Sequence, residues 1–299
     1  MLVGGKSKVL PVYLCGHALA LAFFWFVPPG GWLHAFWQML SAWVSVAFMV
    51  LGVRRQRPRT ALAWYLIGAG VFVNACGVVV DVIGSRLFGE TAQPKAADAF
   101  WFALFPGVVA GLGILAYRRA AAEELGTMLL NTAICVLVNL FAGVLAWELI
   151  VWRTLSDPRL SHANRVVLIA YPLADLLVLA LVLRFALGAG LRNVCVLLTL
   201  GWLVALLPSD IGWSSFLLAG HEPGRLAEYV MEGTWIISCA LLSLASWHPD
   251  IHTVGPPAEG TAPRLGWFGW LGLLACAGTS ALVVLLQAIL DRLYSFTSL

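Results

Sequence analysis

Long apolar segments recur along the whole chain, at about 9–27, 35–53, 61–84, 99–117, 128–152, 166–187, 194–217, 228–247 and 267–290. Each is near the ~20 residues that an α-helix needs to cross ~30 Å of hydrocarbon. Lipid offers no hydrogen-bond partner to the backbone, so only helices and closed barrels cross it. These runs are far longer than barrel strands, and their side chains do not alternate with period two. The pattern predicts an all-α, polytopic transmembrane helical bundle of about nine spans.

Composition sharpens this picture. The 299 residues are 61% hydrophobic and 11% charged, against roughly 25% charged in soluble proteins, too few charges to coat a water-exposed surface. The net charge of +3, with no basic run interleaved with aromatics, is too small to argue for nucleic acid, and no nucleic-acid partner is expected. Fourteen tryptophans are expected as anchors at headgroup depth. The six cysteines (Cys15, Cys76, Cys135, Cys195, Cys239 and Cys276) are widely separated without a CxxC. They read as small buried hydrophobes, not as a disulfide framework or a metal site. The apolar run after Lys6 and Lys8 ends in Pro28-Pro29-Gly30 without a small-residue cleavage site, so it reads as a retained first helix.

Basic residues then set the orientation. With the N-terminus cytoplasmic, eleven fall inside: Lys6, Lys8, Arg54, Arg55, Arg57, Arg59, Arg118, Arg119, Arg184, Arg192 and Arg264. Seven fall outside: Arg86, Lys95, Arg153, Arg159, Arg165, Arg225 and Arg292. The cluster "RRQRPR" (54–59) is the strongest local anchor. This predicts a multi-pass plasma (inner) membrane protein with lipid as its first partner. Residues 1–252 form the sensory or anchoring bundle, and 253–299 form a cytoplasmic loop plus the final helix, whose tail "DRLYSFTSL" ends outside.

Two external loops echo one another. "GSRLFGETAQPKAADAFW" joins spans three and four, and "LLAGHEPGRLAEYVMEGTW" joins spans seven and eight. Each carries Gly, Glu and Pro, then an Ala-acid pair (Ala97-Asp98, Ala227-Glu228) opening the next helix, where a carboxylate suits the dipole. A duplicated helical hairpin is one reading; a general likeness of external hairpins is the other.

Ionisable groups inside apolar spans are costly and are functional candidates by default. Asp175 lies near mid-depth of span six, three residues after Pro172, which removes a backbone N–H and displaces the Leu168 carbonyl. His17, Asn74 and Asn139, near the centres of their own spans, are its expected partners. Two readings stand. In one, Pro172 kinks the helix and Asp175 satisfies backbone or an Asn. In the other, Asp175 belongs to a ligand- or proton-responsive site. Asp81, Glu148, Asp210 and Glu232 fall toward external span ends, with Asp98 and Glu228 at the boundary and Arg86, Arg153 and Arg225 at similar depth. They suggest an outward polar vestibule closed below by apolar packing; ordinary solvation of helix ends is the other reading. Pro208 and Asp210 repeat the Pro-acid pairing inside span seven, a pattern like the discontinuous helices of transporters. The candidate ligand-binding residues are therefore Asp175, Asp210, Asp81, Glu232, Tyr171, Asn74 and His17.

No GxSxG, HExxH, P-loop or GxGxxG occurs in a fitting context. His248, Asp250 and His252 in "WHPDIH" are a weak metal pattern. No catalytic residue, metal or cofactor is expected.

"AYPLADLLVLALVLR" (170–184), "QPKAADAFWFALFP" (93–106) and "SLASWHPDI" (243–251) resemble the multi-helix N-terminal membrane region of bacterial signalling proteins. In that group the region precedes GGDEF-type diguanylate cyclase domains, sometimes with EAL phosphodiesterase or histidine-kinase domains. The likeness runs from about residue 40 to 252 and touches Pro94, Ala97, Asp98, Pro106, Tyr171, Pro172, Asp175, His248 and Pro249. It implies a sensory or anchoring module without a catalytic role for any of these residues. The chain departs from the pattern in having no GGDEF or EAL sequence, and only one span after the His-Pro loop. Either it is cut before an output domain or it is a stand-alone relative acting through partners. A cytoplasmic signalling domain or partner protein and a second copy in a homodimer are the protein partners this implies. Two other functions compete: a small-solute or proton-coupled transporter, and a structural subunit of a membrane complex.

Overall fold

The computed structural model describes residues 9–90, 94–120, 123–220 and 223–254, and helical positions 271, 274, 275 and 278. Every regular element among the described residues is helical. Seven helices are long and apolar enough to cross a membrane: α2 (Trp32–Gln56), α3 (Ala61–Leu87), α4 (Ala96–Ala120), α5 (Leu125–Ser156), α6 (His162–Ala189), α7 (Val194–Ala219) and α8 (Arg225–Trp247). The first expected span forms a shorter apolar helix, α1 (Val9–Phe24), of 16 residues. The ninth, 267–290, lies outside the continuously described residues.

Helix contacts form a closed circuit. α2 packs on α3, α3 on α4, α4 on α6, α6 on α7, α7 on α8, and α8 returns to α2. α5 lies outside this ring against α6, and α1 lies outside it against α2 and α8. One core runs through all six ring helices, with Met49, Trp64, Leu112, Phe185, Trp202 and Leu242 almost fully buried. The outward faces stay apolar: Leu33, Phe36, Leu40, Val44 and Leu51 on α2, and Leu130, Leu137, Phe141 and Val144 on α5, are exposed at helical spacing. Continuous exposed apolar stripes of this kind match a lipid solvent. The chain is a helical, multi-pass membrane protein.

Two sequence expectations change here. Trp64, Trp147, Trp202 and Trp235 are buried within the bundle and are not interfacial, because large aromatic rings fill the wide gaps between ring helices. Cys135, Cys195 and Cys239 are buried as expected, but Cys15 is exposed and Cys76 half-buried, since α1 and the outer face of α3 turn toward lipid.

The end carrying Arg54–Arg59, Arg118 and Arg119, hereafter the basic end, is closed by the turn after α8. Pro249–His252 forms one 3₁₀ turn, with Ile251 and Val254 fully buried. Asp250 Oδ2 accepts the Val194 N–H at 2.9 Å at the start of α7, where a carboxylate meets the helix dipole. Gln56 Nε2 donates to the Trp247 carbonyl at 2.8 Å, and Arg119 donates to the Thr253 carbonyl. His252 faces Gln56 while His248 stays beside Asp250, so the three side chains of the weak metal pattern serve capping and bracing.

At the opposite end, the turns after α3 and α7 both reverse on a left-handed glycine, Gly89 at φ 64° and Gly220 at φ 66°. Arg159 braces the turn between α5 and α6. Its hydrogen bonds to Asp157 hold that carboxyl down at about 2, and its Nη2 also reaches the Leu218 carbonyl.

Candidate functional site

The candidate residues inside the bundle fall mainly into three polar groups, built on different helix pairs, and a further polar cluster, Arg184 with Glu123 and Asn131, lies toward the basic end.

The first group starts where α4 begins. Asp98, in the first turn of α4, accepts the Lys95 backbone N–H at 2.7 Å, a reciprocal cap that fixes its position. Lys95 Nζ reaches across to Asp81 Oδ1 on α3 at 2.8 Å, and both side chains remain partly exposed. The other Asp98 oxygen accepts the Tyr171 hydroxyl from α6 at 3.1 Å. Tyr171 and Asp175 are four residues apart and therefore share a helix face. Asp175, only 8% exposed, has Asp210 of α7 as its neighbouring carboxyl group. Its Oδ1 is buried with no hydrogen-bond partner. Tyr171 is close enough to feel the charges of Asp98, Asp210 and Asp175 together. The chain of contacts thus runs from a partly exposed Lys95–Asp81 pair to two carboxyl groups inside the membrane-spanning region.

In the second group, His34 of α2 and Glu232 of α8 meet at 2.5 Å, walled by Phe24 and Tyr229. The third lies deeper between α1, α2 and α8. His17 Nε2 is 2.9 Å from Ser45 Oγ, and the Tyr13 hydroxyl contacts Ser45 and Ser243 at 3.2 and 2.6 Å.

The seven candidates therefore do not form one vestibule. Asp81, Tyr171, Asp175 and Asp210 come together, through Lys95 and Asp98. Glu232 and His17 belong to the other two groups. Asn74 donates to the Trp101 carbonyl at 2.9 Å and serves the α3–α4 contact. Asn139 donates to the Cys135 carbonyl within its own helix, so neither Asn reaches Asp175. The basic residues expected beside the acids also separate. Arg86 binds the Gly30 carbonyl and Arg225 the Tyr229 hydroxyl, while Glu148 is exposed on the outer side of α5. α6 and α7 run unbroken through Pro172 and Pro208, so neither helix is discontinuous. Asp98, Lys95 and His34 are not among the seven candidates, although Asp98 is expected at the boundary of the vestibule. The resemblance already touched Asp98, and the matched hairpins had placed it at a helix start.

Below the carboxyl pair, toward the basic end, the ring is filled by Val178, Leu181, Val182, Phe185, Leu112, Leu115, Trp64, Val196 and Trp202, each at most 4% exposed. The contacts leading from Lys95 to the pair stop at this apolar layer, and the next charged group along α6 is Arg184, paired with Glu123 toward the basic end.

No protein-family profile, curated protein or solved structure matches the chain.

Proposed function

We propose that this chain is the sensory or anchoring membrane module of a bacterial signalling protein, with catalysis left to a separate domain or partner. Its input site is the Asp175–Asp210 pair, and its output end is the turn at 248–254. The supporting observation is one-sidedness: polar contacts lead from the Lys95 end to the pair and stop at close-packed apolar side chains.

In this reading the N-terminus and the basic end are cytoplasmic and the bilayer is the inner membrane. The spans number nine, with α1 and the segment 267–290 completing the seven. The hairpin echo extends to a duplication of four helices, α1–α4 and α5–α8. A half-turn of the ring exchanges α2 with α6, α3 with α7 and α4 with α8, and α1 leans on α2 as α5 leans on α6. Gly89 and Gly220 close equivalent turns.

The input pair and the output turn share helices. α7 carries Asp210, and its first N–H is capped by Asp250. A shift of α7 that follows a change at Asp210 therefore pulls directly on residues 248–254. The test is amide hydrogen exchange of the full chain in lipid nanodiscs. Asp210→Asn is expected to change exchange at 250–254 by about tenfold, ~1.4 kcal/mol of local opening. Altered exchange confined to α6 and α7 would refute the input-output reading. Sustained proton or solute flux in sealed vesicles would replace it with transport.

A further inference from the structure

We propose that the Asp175–Asp210 pair is a proton-binding site, loaded from the Lys95 end through Asp98 and Tyr171. This deepens the reading above by naming the occupant, and rests on it only for the sidedness of the site.

Geometry carries the assignment. Asp175 is 8% exposed, its Oδ1 is a buried acceptor without a hydrogen-bond partner, and its charged neighbour is a second carboxyl group, Asp210 of α7. Two carboxyl groups placed together without a counter-cation repel when both are ionised, so the pair favours holding a proton. The nearby cations are engaged elsewhere: Lys95 with Asp81, Arg165 with the Asp157 carbonyl, and Arg184 with Glu123. The titratable group nearest the pair is Tyr171 on α6 itself, and Asp98 from α4 is bonded to that hydroxyl. Glu148 on neighbouring α5 is exposed outward, and α8, beyond α7, holds Glu228 and the His34-bound Glu232. A bound metal cation needs several oxygens converging on one point, but here one Asp98 oxygen is committed to the Lys95 N–H and the other to Tyr171.

Tyr171 is the only hydroxyl in the chain of contacts just described. Loading proceeds as one exchange. Protonated Asp98 gives its proton to the Tyr171 oxygen, and the proton already on that oxygen passes to Asp175 or Asp210. Each O–H bond broken is matched by one formed. Tyr171 ends neutral, and its hydroxyl turns back to donate to Asp98, the orientation seen in the structure. Tyr171 is thus a relay that affects rate and leaves the equilibrium unchanged.

Infrared difference spectroscopy tests this on the full chain in nanodiscs, with sodium replaced by a large organic cation. Acidification is expected to raise a protonated-carboxyl band that shifts in Asp175→Glu and disappears in the Asp175→Asn, Asp210→Asn double variant. Tyr171→Phe is expected to leave the final amplitude unchanged and to slow its rise after a pH jump at least tenfold. A band unmoved by Asp175→Glu would overturn the site even where the double variant fails to fold. An unaltered rate in Tyr171→Phe would overturn the route, and loss of the band on adding sodium at constant pH would make it a metal-cation site. The band reports occupancy whether or not residues 248–254 respond. A band obeying these rules with unchanged exchange at 250–254 therefore defeats the input-module reading and leaves the proton site standing.

Discussion

Glu123→Ala is expected to destabilise the bundle by about 3–5 kcal/mol, the usual cost of stranding one member of a buried ion pair. Arg184 is fully buried, and its guanidinium grips Glu123 as a fork, Nη1 to Oε1 at 3.0 Å and Nη2 to Oε2 at 2.6 Å. Guanidinium cannot shed its charge at any relevant pH, so removing the carboxylate leaves a cation in a site made for a neutral pair. Asn131, which donates to the same Oε1 at 3.3 Å, cannot compensate, because an amide N–H only donates there. The damage should be structural: Glu123 lies in the turn just before α5, where Asn131 of α5 donates to it, and Arg184 lies on α6, so the cluster pins the helix outside the ring to the ring itself. Replacing both residues, Glu123→Leu with Arg184→Met, should recover most of the loss, since a well-packed apolar pair removes the charge together with its counter-charge. Chemical unfolding of the purified protein in mild detergent reads both effects. A loss below ~1 kcal/mol for Glu123→Ala would be the behaviour of a solvated pair and would contradict the burial of Arg184.

How much of this was legible in the chain depends on which coordinate is asked for. Hydropathy locates helices along the sequence, and seven of the expected spans are helices of crossing length for that reason. Depth is also nearly legible, since it follows from counting residues. Angular position around each helix, and the order of helices around the ring, are not. His17, Asn74 and Asn139 were matched to Asp175 by depth, yet His17 sits with α2 and α8 while Asn139 lies on α5 and bonds its own helix. Asp210 is expected toward the external end of span seven and Asp175 near mid-depth of span six, though both are candidates for one site. However, α6 has 28 residues, ~42 Å at 1.5 Å per residue, more than the ~30 Å of hydrocarbon. Counting inward from its end therefore overstates the depth of Asp175. Exposure inside the membrane was equally hidden: the same apolar residues serve lipid and core, so nothing in Trp64 or Cys15 says which it faces. The local chemistry of helix ends was easier, and the Ala97-Asp98 start appears as a reciprocal cap. A further signal is readable in the sequence: Gly107 and Gly111 in "GVVAG" have the spacing of close helix crossings in membranes.

That spacing sets up two alanine substitutions with opposite signs on one helix. A Cβ built at Gly107 would lie 2.6 Å from the Leu66 carbonyl oxygen and 2.9 Å from the Gly70 Cα; one at Gly70 would lie 2.7 Å from the Leu104 carbonyl. α3 and α4 thus touch backbone to backbone, and neither side has a flexible atom to give way. At Gly113, six residues further along α4, an added Cβ meets nothing within 4 Å. Gly113→Ala should stabilise by up to about 1 kcal/mol, because alanine loses less backbone entropy than glycine in a helix. Gly107→Ala gains the same propensity but must push the helices apart, a net loss of about 1–3 kcal/mol, and Gly107→Val should lose more. In lipid this separation is not resisted by a hydrophobic driving force, so contact geometry carries the association. The effect should reach the site as well. Asp81 rides on α3 and Asp98 on α4, and they are bridged by Lys95. Parting the helices stretches that bridge and loosens the partner of Tyr171, so Gly107→Ala should slow the pH-jump infrared response while Gly113→Ala leaves it unchanged. Equal stabilisation by the two substitutions would mean that α3 and α4 are not in backbone contact at Gly107, and the placement of Asp81 beside Asp98 would fall with it.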